Sequence, residues 1–392
     1  MTLASYRLSV IWLCEYHLAH AIRVSSLIMD PQKLSELIDR LGSASIEDQE
    51  EAIKSLGQIG ADAKAAIPRL LDLLSEEHLQ IFVIVALRRI GVGSPEVITA
   101  FVQFIQKPTG DELRRIEAAK ALATLDDGTV QKSVTECLSR SEATTTRKSA
   151  VLALSLLAAR GQNGAINAVI EAFHDRSHEV REAAIVAFDE RIGVSAIPCL
   201  RQCMSSPDID VRICGADAFQ RITGNRFTGE VAESVLGCLS NTTPVTLCRA
   251  LKVLSRVERL PSSASEQLLN YLSEEDADVR YWAVESLSRI DPLDTKVLKK
   301  LIDLLRDSSA SVRGGAADAI GKNGARAKSA VPRLIDCLED ADPWVRILVA
   351  SALGSIGSDA LEAVPTLLRL TREDEDNEVR VAASMAVDVI KE

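Results

Sequence analysis

The chain is poor in aromatic side chains: three Trp, four Tyr and seven Phe among 392 residues. That leaves little stacking surface for single-stranded nucleic acid. It also lacks positive charge. Lysine and arginine total 45 against 56 acidic residues, a net charge of −11. Binding nucleic acid takes a basic stripe that neutralises phosphates, so no nucleic-acid partner is expected. Histidine is scarce: His17, His20, His78, His174 and His178 are the full set. There is no Walker A loop, no G-x-S-x-G elbow and no pair of C-x-x-C sites. Gly321-Lys322-Asn323-Gly324 lacks the phosphate-loop spacing. No alternating run of β-branched residues is bounded by hairpin turns, so no sheet is expected.

Eight cysteines are present. They read as free thiols in a reducing compartment, the cytoplasm, because a buried Cys behaves as a small apolar residue. Cys203, Cys238 and Cys337 fall at positions filled elsewhere by Leu73 and Leu304. Cys199 and Cys203, four apart, have a spacing that a metal could use, but one falls in an exposed column and the other in a core column. No metal or cofactor is expected.

What the chain does have is a repeat. Val279-Arg280, Val312-Arg313, Val345-Arg346 and Val379-Arg380 each precede Ala or Val at +4 and Leu, Ile or Val at +8. The same frame recurs at Thr246, Val211, Val180, Thr146, Arg114, Leu79 and Asp48, giving eleven frames in steps of 31 to 35 residues. A fixed period of this size marks a solenoid of one repeated supersecondary unit. In the ninth unit Val312, Ala316, Ala319 and Ile320 share one helical face. Gly321 and Gly324 break the pattern. Ala327, Ala330 and Val331 lead into Pro332, and Leu334, Ile335 and Leu338 form a second apolar face. Pro is tolerated in a helix's first turn, where its missing N–H would have no partner anyway. Each unit is therefore helix A, turn, helix B, turn. Acids such as Asp340 and Asp342 cluster just before helix A, where they suit the positive end of its dipole.

This pattern, D-x-x-V-R-x-x-A-x-x-A-L-x-x-I-G followed by A-x-x-A-V-P-x-L, resembles HEAT repeats. It is most similar to the short bacterial type labelled phycobilisome-lyase HEAT-like repeats. The resemblance spans roughly residues 34 to 390. It implies an all-α, right-handed α-α superhelix, a HEAT/armadillo-like solenoid of ten to eleven helical hairpins. It also implies a division into a non-repeat segment, 1–30, and one solenoid, 31–392.

Residues 1–30 do not fit the repeat. Leu8 to Ile22 is apolar but carries Glu15, His17 and His20, which makes a poor membrane span and a poor signal peptide. Met29-Asp30-Pro31 looks like a natural helix start. The first 28 residues read as a misassigned extension; the alternative is a short helix capping the first repeat.

The functional expectation is a non-catalytic scaffold or adaptor. In HEAT solenoids helix B generally lines the concave face, so its outward positions are the expected partner surface: Arg69, Lys299, Lys300, Arg333 and Arg369, with Trp344 as a further anchor candidate. Charges three apart there, such as Arg333 and Asp336, read either as local ion pairs or as a mixed-charge groove for an acidic peptide. The recurrent arginines read either as ties between units or as an exposed basic ladder. The protein is expected to be a monomer that binds a protein or peptide, with no membrane partner. The alternative is a subunit of a HEAT-like enzyme. Deoxyhypusine hydroxylases resemble this chain but hold two irons through several His-Glu pairs, whereas here only His178-Glu179 occurs. Phycobilin lyases are similar in their repeats, yet no residue here matches a pigment site.

Overall fold

The computed structural model describes residues 31–91, 93–106, 112–125, 129–189, 191–224, 228–240, 242–291 and 294–392. The segment 1–30, with Trp12, His17 and His20, lies outside the described residues, as does Asn225. Among the described residues every regular element is helical. The chain divides into two compact units, residues 1–133 and 134–392.

In the first unit, helix A of the first repeat is Ile46–Ile59 and helix B is Ile67–Asp72. The next helix, Gln80–Ile90, packs against Ile46–Ile59. Ala52, Ile53 and Leu56 are fully buried between them. The second unit repeats the scheme in its cleanest form near its end. Helices Ala310–Gly321, Pro343–Ile356 and Asn377–Lys391 pack side by side as successive helices A. Helices Val331–Cys337 and Val364–Glu373 are their helix-B partners. Val312, Ala316 and Ile320, then Val345, Val349 and Leu353, are excluded from solvent, as their spacing predicts.

The turn between helices A and B is more ordered than the sequence suggests. In repeats one, nine and ten it is a seven-residue 3₁₀ segment: Gly60–Ala66, Gly324–Ala330 and Gly357–Ala363. The A-x-x-A step puts two alanines on the core side, and Ala327, Ala330, Ala360 and Ala363 are fully buried. Gly357 opens its segment at φ 77°, a conformation that a Cβ would strain. Pro68, Pro198, Pro332 and Pro365 lie in the first turn of helix B, as expected.

Gly321 does more than interrupt a pattern. It ends helix Ala310–Gly321, and a Cβ added there would lie 2.8 Å from the Ala352 Cα of the next helix A. Gly215 is similar: its added Cβ would meet the Cys203 Cβ at 2.5 Å. Both glycines let neighbouring helices approach more closely than any side chain allows.

Pro343–Glu373 is apolar enough over its length to cross a bilayer. It breaks at Ile356 into separate helices whose apolar side chains, Val345, Val349, Leu353, Leu367 and Leu370 among them, lie in the core.

Candidate functional site

Helix Thr295–Leu304, helix B of the eighth repeat, buries Val297 and Leu301. The opposite face therefore points outward and carries Lys296, Lys299 and Lys300. Lys299 and Lys300 are exposed and have no ion-pair partner among the described residues. Lys296, 3.4 Å from Glu266 across the gap to the preceding helix B, belongs to the same patch. The sequence reading missed it, although its place four residues before Lys300 put it on that face.

The other predicted residues stand differently. Arg333 donates to Asp336 on its own helix at 2.7 Å, the local ion pair. Arg369 pairs with Glu339, just after the preceding helix B. Both cations are thus locally compensated, and of the predicted cations in the second unit Lys299 and Lys300 remain without an ion-pair partner among the described residues. Arg69 is exposed and belongs to the first compact unit. Trp344 opens a helix A, as its place between Pro343 and Val345 predicts; its backbone N–H donates to Asp342 at 2.9 Å. Its ring is 57 % exposed and covers Gly314 of the previous helix A, where an added Cβ would lie 3.6 Å away.

The recurrent arginines form ties between turns. Arg280 donates to both carboxylate oxygens of Asp307 at 2.8 and 2.7 Å, and to the Glu274 carbonyl at 2.8 Å. Arg313 does the same with Asp340 and the Asp307 carbonyl, and Arg346 with Asp374 and the Asp340 carbonyl. Each Asp then accepts the N–H two residues on, at Ser309, Asp342 and Asp376. The result is a continuous zipper from Arg280 to Arg380. Arg147 and Asp175 form one more such rung, which the Thr146 frame signals. Burial alone would push the carboxyls of Asp175, Asp307, Asp340 and Asp374 up. The arginine and backbone hydrogen bonds outweigh it and hold all four below the usual carboxylate range.

The other chemistry-bearing residues are absorbed by packing. His178 Nδ1 is 3.5 Å from Arg249, Glu179 pairs with Lys148, and His174 faces Asp208 at 3.3 Å. Among the described residues no group of three His, Cys, Asp or Glu is arranged to hold a metal. Cys203, Cys238 and Cys337 are buried, as their column predicts, and burial pushes the Cys203 thiol up to about 11. Trp282 sits at the seam between repeats: Lys252 of the preceding helix A lies over its ring, 5.5 Å from the centroid.

The family model described as HEAT repeats matches residues 34–116, 232–320 and 298–388. Solved structures share the architecture at low identity. Karyopherin Kap121p bound to the extreme C-terminus of the protein phosphatase Cdc14p is 14% identical, with TM-score 0.63 over 93% of this chain and 46% of that one. Kap121p bound to Nup53p gives 13% and TM-score 0.64 over the same shares. Kap95p in a structure with RanGDP gives 14% and TM-score 0.54 over 91% and 54%. The chain spans about half the length of these proteins. A search of curated proteins returned no match.

Proposed function

The chain belongs to the HEAT-repeat family, and from that premise we propose that it is a non-catalytic scaffold that seats an acidic segment of a protein partner on helix Thr295–Leu304. The observation that carries this reading is the patch of Lys296, Lys299 and Lys300 on a protein of net charge −11. Unpaired cations on an anionic surface steer an acidic chain toward them. The Arg280–Asp307 pair anchors the turn that follows this helix, so little ordering cost is added on binding. The solved neighbours include a karyopherin bound to protein or peptide partners, which supports a protein partner here. The narrower tie to the phycobilisome-lyase type rests on the motifs of repeats one, nine and ten. A cytoplasmic location rests on the free thiols.

The test is fluorescence anisotropy of a labelled Asp/Glu-rich peptide with the full chain at low salt. Lys299→Glu with Lys300→Glu should weaken binding at least about tenfold, while the melting temperature stays nearly unchanged because exposed substitutions usually shift stability by less than about 0.5 kcal/mol. Equal binding by the variant, with its fold intact, would remove this surface from consideration.

A further inference from the structure

Arginine recurs at the tenth residue after the frame position in three consecutive repeats: Arg221, Arg256 and Arg289. Stacked repeats bring such residues alongside one another at roughly the 8–10 Å spacing of packed helices. The structure gathers all three around one open pocket of about 590 Å³, with Phe188, Asp189 and Gln220 also in its wall. That volume lies within the range of small-molecule sites. The pocket sits at the ends of helices A of the repeats framed by Val211, Thr246 and Val279, and Arg289 comes seven residues before Lys296 of the lysine patch.

Its polar groups are not used up by the fold. Arg221 is exposed and has no partner among the described residues. Arg289 spends its Nε on the Ser255 carbonyl at 2.6 Å, and its two terminal nitrogens have no hydrogen-bond partner among the described residues. Arg256 is held by the buried Asp217 at 2.7 Å yet remains about a third exposed. Asp189 is occupied by Arg191. Counting these pairs, four arginines face two carboxylates, so the pocket is cationic on a protein of net charge −11.

Gln220 adds a second, independent sign of a ligand. It is 6 % exposed, its amide nitrogen donates to the Val253 carbonyl at 3.4 Å, and its Oε1 is buried without any hydrogen-bond partner. An unsatisfied buried acceptor costs about 1–3 kcal/mol; a turn of the Gln220 side chain toward the pocket would let a ligand donor remove that cost.

We propose that this pocket binds a small organic oxyanion, its carboxylate or phosphate held by Arg221 and Arg289 and a neighbouring hydroxyl or amine donating to Gln220 Oε1. Planar guanidinium forks match both kinds of oxyanion; the donor beside the anion sets the specificity.

Calorimetric titration of the full chain tests this with two matched pairs of probes. Malate and succinate share two carboxylates, but only malate has a hydroxyl; 2-hydroxyethyl phosphate and ethyl phosphate differ in the same way. The hydroxyl-bearing member of one pair should bind about tenfold more tightly, the worth of one good hydrogen bond, and the pair that responds identifies the anion. Gln220→Leu should abolish that preference while leaving the weaker probe unchanged. Arg221→Gln and Arg289→Gln should each weaken binding about tenfold. Arg221 is exposed and without a partner, so its variant folds whatever happens to the others. No preference within either pair, or binding indifferent to Arg221→Gln, overturns the proposal.

Discussion

Arg346 holds Asp374 with two parallel hydrogen bonds, Nε to Oδ2 at 2.9 Å and Nη2 to Oδ1 at 2.7 Å, while Nη1 reaches back to the Asp340 carbonyl. One side chain thus joins the turn before its repeat to the turn after it. Both partners are less than a tenth exposed. Truncation would leave Asp374 buried and unpaired, so Arg346→Ala should cost about 3 kcal/mol. Arg346→Lys should recover only part of that, because an ammonium cannot reproduce the fork. Urea unfolding measures both; a loss below about 1 kcal/mol for the alanine variant would show that the rung contributes little.

The zipper also predicts the response to acid. The carboxyls of Asp175, Asp307, Asp340 and Asp374 are depressed in the folded chain. A depressed carboxyl contributes stability that is fully present above its unfolded value, near 3.9, and is lost as pH falls through the folded value. Stability should be flat through neutral pH and drop below about pH 4. Urea midpoints across pH 3 to 7 check the sign; in Asp340→Asn the drop should be shallower, from a lower starting point.

The sequence displayed the fold because the apolar frame and the helix-B prolines are local signals that packing does not override. The structural role of the arginines was legible as one of two readings, and Asp307, Asp340 and Asp374 decide it. The binding surface was less legible. The spacing of Arg333 and Asp336 offers their local ion pair as one of two readings, but nothing in the spacing of Arg369 says that Glu339 consumes its charge. The pocket arginines were visible as a recurrent column, but only three-dimensional stacking makes a column into a wall. A glycine inside a helix ordinarily weakens it, whereas Gly215 is where its helix touches Cys203.

Substitution of that glycine separates the two views. Gly215→Ala drives a Cβ into the Cys203 Cβ, a contact of 2.5 Å before relaxation. Overpacking of this kind costs about 1–3 kcal/mol. Cys203→Ala should give no rescue, since the offending atom remains. Gly229→Ala, on a helix with open space around it, should be neutral or slightly stabilising. Thermal melts of the three variants rank them directly; a stabilising Gly215→Ala would return that residue to the role of helix breaker.

The zipper has a gap, and the gap locates the softest part of the second unit. Arg181 still donates to the Asp175 carbonyl at 2.7 Å, but the position where the next rung needs an aspartate holds Ser206. Arg181 Nε is consequently buried with no partner. Two repeats after Arg181, Leu247 replaces the arginine altogether, and Thr246 substitutes a single hydrogen bond to Asp210 at 2.6 Å. Coupling between neighbours governs opening in such arrays, so amide exchange should be faster in Ile209–Thr223 and Pro244–Leu254 than in Ala310–Gly321 and Pro343–Ile356. The decisive variant is Ser206→Asp. Ser206 already accepts the Asp208 N–H through its hydroxyl and the Arg212 guanidinium through its carbonyl, as the zipper aspartates do with theirs. An aspartate there gives Arg181 Nε its missing partner. It should raise stability by about 1 kcal/mol at neutral pH, lose that gain below about pH 4, and slow exchange in Ile209–Thr223 first. If Ser206→Asp leaves both stability and exchange unchanged, the missing rung is not what softens these repeats.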